Sequence, residues 1–472
     1  ECIRAYPLDA VVLLSGCDKT TPAMLMGAAS ADVPAIMVTG GPMLRGRWRA
    51  EDLGSGTDAR RLWAEHRAER LSDEELCEVE ACLSRSAGHC MVMGTASTMA
   101  AMAEALGMTL PGNAAIPGPD SRRLVLAELS GRRAVELALA GGPRPSEILT
   151  APAFDNAIRA DMAIGGSTNA IVHLVALAGR AEVPLPLARF DELSRTTPLL
   201  VNVKPSGTHL MEDFFHAGGL PAVLRELLPL LHGDALTVNG RSLADNVRDA
   251  ACWNPDVIRP LGMPLGPEGG TVILSGNLCP DGAVLKQSAA SPALFTHRGR
   301  AVVFAGQADL ARRIDDPALG IDATSVLVLT HAGPKGAPGM PEWGAAPIPA
   351  RLLKQGVTDM VRISDARMSG TSYGTVILHV APESAVGGPL ALVREGDEIQ
   401  LDVPARRLTL RVPDAELARR RAAWTPPPPH FTSGWGRLFL DHVLQANEGC
   451  DFDILRGRRP VTRAESVLET RL

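Results

Sequence analysis

Short apolar runs alternate with polar turns and helical patterns along the first half of this chain. Residues 9–15 (DAVVLLS) form an apolar run that ends at Gly16, which predicts a buried strand of the kind found in parallel sheets. A polar turn follows, and a helix is predicted from Pro22, because proline suits the first helical turn. Residues 34–39 (PAIMVT) repeat the strand pattern. This alternation is typical of an α/β domain.

Two longer helical patterns follow, and each contains a segment of small residues. Residues 72–106 predict a helix with the small-residue segment 94–98 (GTAST), where small side chains allow a ligand or another backbone to approach closely. A second helix is predicted from Asp155, with a loop at 165–169 (GGSTN) that interrupts it before it resumes at 170–178. This loop could cradle an oxyanion.

The pattern changes after residue 254, where short β-like runs are separated by loops rich in glycine and proline. The predicted strands are 271–274, 301–304, 325–329, 360–363 and 375–380, with a hairpin at 398–412. They predict a barrel-like second domain. The expected fold class is therefore α/β, with an N-terminal three-layer α/β domain (1–254), a C-terminal β-barrel domain (255–425), and a proline-rich linker and tail (426–472).

Composition narrows the possible partners. The net charge is −6 and no run of lysines and arginines occurs, so no nucleic-acid partner is predicted. No stretch of about 18 apolar residues is present, so no membrane span is predicted, and a cytoplasmic protein is expected. Eight scattered cysteines do not suggest a disulfide framework. The chain starts at Glu1 rather than methionine, and we expect an N-terminally truncated fragment.

The turn between the first predicted strand and helix, GCDKTTP at 16–22, is the first candidate for chemistry. Ligands of open α/β sheets bind at such strand ends. Cys17 offers a soft thiolate suited to iron–sulfur clusters, and Asp18 a hard carboxylate suited to Mg²⁺, beside the amine of Lys19. A buried cysteine with an N-capping aspartate and a solvated lysine is the alternative.

Three further segments carry reactive side chains. Cys90 starts the small-residue segment and is a candidate metal or anion ligand, whereas neighbouring His89 is expected to be structural. The stiff loop 331–342 (HAGPKGAPGMPE) ends in the carboxylate of Glu342. Residues 365–371 (DARMSGT) follow a predicted strand, and Arg367 there favours an anionic ligand such as a carboxylate.

Several other classes of function lack a motif. Cys77 and Cys82 have no matching second pair, so a zinc site is not favoured. Ser369 stands between a strand end and a glycine, but the G-x-S-x-G motif of hydrolases is absent. No phosphate-binding glycine motif occurs in a suitable context, so nucleotide binding is not supported.

Taken in order, these segments resemble the family of dihydroxy-acid and sugar-acid dehydratases, which includes dihydroxy-acid, phosphogluconate and pentonate dehydratases. The resemblance covers essentially the whole chain and extends to 165–170 (GGSTNA), 202–219 (NVKPSGTHLMEDFFHAGG) and 275–288 (SGNLCPDGAVLKQS). The segments Met368–Thr371 (MSGT) and 93–98 (MGTAST) resemble the aldonate branch more than the branched-chain amino-acid branch.

The resemblance implies a role for each candidate residue. Cys17 and Cys90 correspond to two cluster cysteines of a [2Fe-2S] or [4Fe-4S] cluster, and Asp18, carbamylated Lys19 and Glu342 to ligands of Mg²⁺. Ser369 corresponds to the catalytic base, and Arg367 and Thr371 are assigned to substrate binding. Family members carry a third cluster cysteine and another acidic Mg²⁺ ligand in an upstream segment. Cys2 does not match that position.

The implied activity is a hydro-lyase that converts a sugar acid to a 2-keto-3-deoxy acid in a homodimer or homotetramer. In the implied reaction Mg²⁺ holds the carboxylate and 2-hydroxyl, Ser369 removes the C2 proton, and the cluster acts as a Lewis acid on the 3-hydroxyl. Two alternatives remain: a dihydroxy-acid dehydratase of branched-chain amino-acid biosynthesis, and a non-catalytic remnant that binds a sugar acid.

Overall fold

A computed structural model describes residues 1–457 of the chain. The first half is built around a parallel pair of strands and a layer of mostly buried helices. Strands β1 and β2 pair in register from Val11 opposite Ala35 to Ser15 opposite Thr39. The first strands are β1 (Val11–Ser15), β2 (Ala35–Thr39), β3 (Gly46–Trp48) and β4 (Glu51–Leu53). The helices are α1 (Thr20–Ala31), α2 (Thr57–Arg67), α3 (Asp73–Leu83), α4 (Thr95–Ala105), α5 (Ser121–Ala140), α6 (Pro145–Ile148), α7 (Ala151–Ile164), α8 (Asn169–Arg180), α9 (Leu187–Arg195), α10 (Met211–His216), α11 (Gly219–Leu227) and α12 (Leu243–Val247).

Small side chains let the central helices of this half pack closely. All residues of α4 (TASTMAAMAEA) are buried, and α4 packs against α7, while α1 packs against α8. Alanine, serine and threonine leave room for a neighbouring backbone, so helices can be buried on every side. The sequence segment 94–98 therefore belongs to the core, and its first residues also face the candidate site described below.

The second half is a closed eight-stranded barrel with the order β10-β6-β5-β12-β11-β7-β8-β9. Closure pairs every strand with two neighbours and leaves no exposed sheet edge. Its strands are β5 (Val272–Gly276), β6 (Cys279–Leu285), β7 (Thr296–Ala305), β8 (Val326–Thr330), β9 (Arg362–Ser364), β10 (Val376–Leu378), β11 (Glu398–Asp402) and β12 (Arg407–Leu410). The remaining helices are α13 (Gln307–Arg313), α14 (Ala350–Lys354), α15 (Asp414–Ala423) and α16 (Gly434–His442). The predicted fold class, an α/β domain followed by a β-barrel, is confirmed.

Two local expectations differ from the structure. The predicted helix 72–106 is wrong over 84–94, where the chain leaves α3 and pairs His89 with Pro42 in a parallel bridge. Gly88 has φ +128° there, and a Cβ at this position would lie 2.6 Å from the backbone nitrogen of Met43. The sequence pattern does not predict strand β6, because its first residues, CPDG, are typical of a turn.

The proline-rich segment 424–433 contains neither helix nor strand, and the chain then returns to the first half of the molecule. Arg180 of α8 forms an ion pair with Asp451, with a distance of 2.7 Å between Nη2 and Oδ1. Residues 458–472 of the predicted tail lie outside the described part of the chain. Within the described part, no helix is both long and apolar enough to cross a lipid bilayer.

A buried acid and a buried amine face each other across the two halves of the molecule. Asp161 of α7 is 1% exposed and Lys286, which follows β6, is 0% exposed. Neither side chain has a hydrogen-bond partner among the described residues. Burial raises the pKa of Asp161 to about 7 and lowers that of Lys286 to about 7, and each charge opposes the shift of the other. The two groups therefore depend on each other for compensation.

We expect Lys286→Met to lower the free energy of unfolding by about 1–3 kcal/mol, because it leaves a buried carboxyl with neither a compensating charge nor a hydrogen-bond partner. The double variant Asp161→Asn/Lys286→Met should lose less than the single variant, since no charge then remains buried. Urea unfolding of the three proteins measures this difference. A double variant that loses as much stability as Lys286→Met, or more, would mean that the two groups do not compensate each other.

Candidate active site

The turn between β1 and α1 presents three side chains next to one another at the end of the first strand. The hydroxyls of Thr20 and Thr21 donate to the carbonyl of Cys17 at 3.0 and 3.1 Å, and the Cys17 N–H donates to Thr20 Oγ1 at 3.1 Å. These bonds fix the backbone while the side chains of Cys17, Asp18 and Lys19 remain available. The cap residue of α1 is Lys19, without a side-chain cap bond, and Cys17 is exposed. The alternative of a buried cysteine beside an N-capping aspartate is therefore wrong.

Two carboxylates from opposite halves of the molecule meet at the amine of Lys19. Nζ of Lys19 donates to Asp18 Oδ2 and, at 3.0 Å, to Glu342 Oε1. Desolvation alone would raise the pKa of Asp18, but the hydrogen bond and charge of Lys19 outweigh it and lower this pKa. The predicted trio Asp18, Lys19 and Glu342 is thus brought together in space.

Asn169, at the start of α8, connects Glu342 to the segment that carries the candidate base. Its Nδ2 lies 2.7 Å from Glu342 Oε1, 3.1 Å from the carbonyl of Met368 and 3.1 Å from Thr95 Oγ1. Asn169 is fully buried, so this position is fixed by packing as well as by hydrogen bonds. The predicted loop 165–169 contains Asn169, but nothing in the sequence singled out this residue as the connector.

Arg367 supports the loop that ends in Glu342. Its Nε donates to the carbonyl of Met340 at 2.8 Å, and its Nη2 donates to the carbonyl of Gly339 at 3.0 Å. The side chain is mostly buried and also lines a cavity of about 340 Å³ together with Lys19 and His173. Burial lowers the pKa of His173 to about 3, so this imidazole is neutral beside the two cations. The geometry makes Arg367 a support for the Glu342 loop.

Ser369 and Thr371 lie in a tight loop pressed against the first half of the molecule. Oγ of Ser369 lies 3.0 Å from Oγ1 of Thr371, and the Thr371 N–H donates to Ser369 Oγ at 3.4 Å. Thr57 Oγ1 donates to the Thr371 carbonyl at 2.7 Å. A Cβ on Gly370 would lie 2.6 Å from the backbone nitrogen of Thr95, so only glycine lets the two segments approach this closely. The loop therefore holds the Ser369 hydroxyl against the backbone N–H and the hydroxyl of Thr371.

The two candidate cluster cysteines approach the same region from separate segments. Although Cys17 is exposed as a residue, partial desolvation of its thiol by neighbouring atoms is the largest influence on its pKa and raises it, and the charges of Asp18 and Cys90 raise it further. Cys90 is close enough to act on Cys17 electrostatically, and it is half-buried. Two thiols beside two carboxylates form a donor set with a soft and a hard side.

This donor set fits two different inorganic groups. Across residues 1–457, no three histidine, cysteine, aspartate or glutamate side chains lie close enough to hold a metal ion by themselves. Asp18 and Glu342 supply two oxygen donors, and Lys19 stands between them where a third donor would stand. Carbamylation of this lysine would turn the amine into a carboxylate and complete a three-oxygen set suited to Mg²⁺. Cys17 and Cys90 would supply thiolates to an iron–sulfur group.

Comparison with known proteins identifies the two halves of the chain separately. Residues 1–246 match the dihydroxy-acid/6-phosphogluconate dehydratase N-terminal domain, and residues 256–450 match the corresponding C-terminal domain. Together the two matches cover most of the chain, with a junction close to the start of the barrel.

Individual relatives match nearly the whole chain. The L-arabinonate dehydratase of Rhizobium leguminosarum bv. trifolii (strain WSM2304) is 56% identical over 97% of this chain and 79% of its own length. The L-arabonate dehydratase of Azospirillum brasilense is 58% identical over 97% of this chain and 80% of its own length. The 6-deoxy-6-sulfo-D-gluconate dehydratase of Pseudomonas putida is 49% identical over 98% of this chain and 80% of its own length.

Proposed function

This chain belongs to the dihydroxy-acid/6-phosphogluconate dehydratase family, and from that membership we propose that it is a hydro-lyase that removes water from an aldonate. The product is a 2-keto-3-deoxy acid. The observation that carries the proposal is the meeting of Asp18, Lys19 and Glu342, with Asn169 connecting Glu342 to the residue before Ser369. This arrangement supports a metal-type oxygen set that Asn169 links to the loop carrying the Ser369 hydroxyl, the proposed base.

Ser369 is the proposed base for the proton on C2 of the substrate. This proton is only weakly acidic next to a carboxylate, so its removal requires a positioned base and stabilisation of the enolate-like charge. The Thr371 N–H and hydroxyl lie at 3.4 and 3.0 Å from Ser369 Oγ, where they can stabilise an alkoxide. The C2–H electrons form the C2–C3 double bond while the 3-hydroxyl departs and takes up a proton as water. The resulting enol tautomerises to the ketone.

Asp18, Glu342 and carbamylated Lys19 would hold Mg²⁺, and Cys17 and Cys90 would bind a [2Fe-2S] or [4Fe-4S] cluster. When bound, the two groups supply positive charge at the carboxylate and 2-hydroxyl and Lewis acidity at the 3-hydroxyl. Asn169 and Arg367 keep the Glu342 loop in place for this purpose. The hydroxyl of Thr371 positions Ser369. We propose that this same Thr371 hydroxyl also contacts the substrate.

A sugar acid is the better supported substrate class. The three relatives described above are named for arabonate or sulfogluconate and are 49–58% identical to this chain, whereas the relatives named dihydroxy-acid dehydratase are 42–44% identical. Full-length, metal-loaded protein should therefore convert at least one pentonate or hexonate to a 2-keto-3-deoxy acid faster than a branched-chain 2,3-dihydroxy acid. Release of the keto acid, followed by semicarbazone absorbance, measures both rates.

A faster rate on the branched-chain 2,3-dihydroxy acid than on every sugar acid would show that the substrate class is a branched-chain dihydroxy acid. Binding of sugar acids without any turnover would instead identify a non-catalytic remnant. The predicted homodimer or homotetramer can be measured on the same preparation by light scattering.

Replacement of either cluster cysteine should abolish the visible absorption of the iron–sulfur group. Cys17→Ser and Cys90→Ser each remove a soft thiolate and leave a hydroxyl that iron binds poorly. Cys77→Ser is the matched control, because Cys77 is an exposed free cysteine on α3. Iron content and the visible spectrum are measured after anaerobic reconstitution. If Cys17→Ser and Cys90→Ser both give the same visible spectrum as Cys77→Ser, then Cys17 and Cys90 do not bind the cluster.

A further inference from the structure

A large cavity lies directly beside the Ser369 loop. It has a volume of about 710 Å³, and it is bounded by α2 on one side and by Ser372 and Tyr373 on the other. Five arginines line it: Arg60, Arg61, Arg67, Arg70 and Arg362. An arginine that lines the cavity and has no carboxylate partner could bind an anionic ligand there.

Four of these arginines are paired with carboxylates. The pairs are Arg61 with Asp58 at 3.3 Å, Arg67 with Asp315 at 2.9 Å, Arg70 with Glu65 at 2.5 Å and Arg362 with Asp359 at 2.9 Å. Within residues 1–457, Arg60 has no carboxylate within the 4.0 Å that defines an ion pair. Arg60 is therefore the one cavity arginine whose charge the described chain does not neutralise by direct contact.

Arg60 also reaches the candidate active site. Its Nη1 donates to Thr371 Oγ1 at 3.0 Å and to the carbonyl of Gly56 at 3.2 Å. The same Thr371 hydroxyl lies 3.0 Å from Ser369 Oγ. These two bonds use only Nη1, so Nε and Nη2 have no hydrogen-bond partner among residues 1–457 and are available for a ligand.

Long-range charge effects place Arg60 in the same electrostatic environment as the catalytic residues. Arg60 is exposed as a residue, but desolvation of its guanidinium by the surrounding protein lowers its pKa, and the charges of Glu342 and Cys90 act in the opposite direction. The guanidinium thus lies within electrostatic reach of Glu342 and Cys90. It approaches this region from α2, whereas Lys19 approaches it from α1.

We propose that Arg60 binds the end of the substrate that is remote from the reacting carboxylate, and that it favours acids with a second anionic group at that end. This inference rests on the proposed function, in which the reacting carboxylate belongs to the Asp18, Lys19 and Glu342 set. The remainder of the carbon chain then extends past Ser369 towards the cavity. The fitting groups are a terminal carboxylate, a sulfonate or a phosphate ester, each of which can accept two guanidinium hydrogens.

A purely positioning role is the competing explanation, because Arg60 could simply hold Thr371 and thereby Ser369. The two roles differ in what they do to pairs of substrates. A positioning role affects every substrate to the same degree, whereas recognition of a remote anion affects only the substrates that carry it.

The test compares acids that differ only at the far end: gluconate, glucarate and 6-phosphogluconate, which end in a hydroxymethyl group, a carboxylate and a phosphate ester. Metal-loaded wild-type protein, Arg60→Met and Arg60→Lys are assayed for kcat/KM on each acid. Arg70→Met is the matched control, since Arg70 lines the same cavity but is paired with Glu65. Calorimetric binding of the matching 3-deoxy acids, which cannot lose the 3-hydroxyl, provides a readout independent of turnover.

We expect the wild type to favour at least one of the two terminally anionic acids over gluconate. Arg60→Met should reduce that preference roughly 10–100-fold, the usual effect of losing a charge-assisted hydrogen bond, while Arg60→Lys retains part of it. Arg70→Met should leave the preference unchanged. The comparison of glucarate with 6-phosphogluconate identifies the anion.

Two results would overturn the inference: a wild type that prefers gluconate to both anionic acids, or an Arg60→Met variant that loses the same factor on all three. A wild type that dehydrates none of these acids and no pentonate would instead count against the proposed function. In that case the binding of the 3-deoxy acids still decides the role of Arg60.

Discussion

Replacing Ser369 with alanine is expected to lower kcat for an aldonate by about 10²–10⁴-fold, the usual contribution of a positioned general base. The variant should remain folded and metal-loaded, because the contacts that anchor the loop are made by Thr57, Gly370 and Thr371 rather than by the Ser369 hydroxyl. The Ser369 hydroxyl, which the alanine variant lacks, is the only part of this side chain that can accept a proton from the substrate. Steady-state rates of keto-acid formation, with iron and magnesium contents measured on the same samples, check this result.

Ser372→Ala is the matched control for this variant. Ser372 lies in the same loop and is fully buried, and its hydroxyl has no hydrogen-bond partner in the described chain. Its loss should therefore leave kcat within a few-fold of the wild type. Exchange of the C2 proton with deuterated solvent separates proton removal from later steps. A Ser369→Ala protein that exchanges this proton at the wild-type rate would show that another group is the base.

Much of the fold could be predicted because the buried strands are short and apolar. The runs at 9–15 and 34–39 correspond to β1 and β2, and the runs after residue 254 correspond to β5 and to β7–β12. Burial of both faces, as in β2 and β8, requires such continuous apolar runs, so the sequence pattern is strong. The prediction of a buried strand at 9–15 is wrong for one face of β1, where Val12 and Leu14 are exposed. Strand β6 could not be predicted, because its first residues, CPDG, have turn chemistry and only barrel closure makes them a strand.

The break between α3 and α4 also depends on tertiary structure. Nothing local ends a helix at Leu83, but His89 forms a bridge with Pro42, and Gly88 provides the close backbone approach that this bridge needs. A pairing partner so far away in the sequence cannot be read from helical periodicity. The same bridge fixes the segment that presents Cys90.

The candidate site was predictable only in part, because its contacts join residues far apart in the chain. Lys19 and Glu342 are separated by 323 positions, and their pairing at 3.0 Å follows from how the barrel docks on the first half. Family resemblance supplied their roles, whereas spacing alone could not bring them together. Asn169 and Arg60 were missed, since an asparagine and an arginine in ordinary helical positions give no signal until their partners are known.

Replacing Lys19 with arginine is expected to abolish most magnesium binding and with it the activity, although the positive charge is kept. A neutral lysine amine can attack carbon dioxide and lose a proton to become a carbamate, but the guanidinium of arginine stays protonated and cannot. Arginine could still pair with Asp18 and Glu342, so the two carboxylates would remain neutralised by a cation. The variant thus removes the third oxygen donor without removing the ion pair.

The expected loss of magnesium affinity is roughly 100-fold or more, since even a residue that only supports a metal ligand contributes about 10–100-fold. Calorimetric titration with Mg²⁺ measures the affinity, and carbon NMR with isotope-labelled bicarbonate detects the carbamate directly. Lys354→Arg is the matched control, because Lys354, the last residue of α14, is paired with Glu69 and lies outside the site. If Lys19→Arg binds Mg²⁺ as tightly as Lys354→Arg, then Lys19 serves only as a cation between two carboxylates. The site would then lack its third oxygen donor from this turn, and the ion would have to be held by Asp18 and Glu342 with ligands from elsewhere.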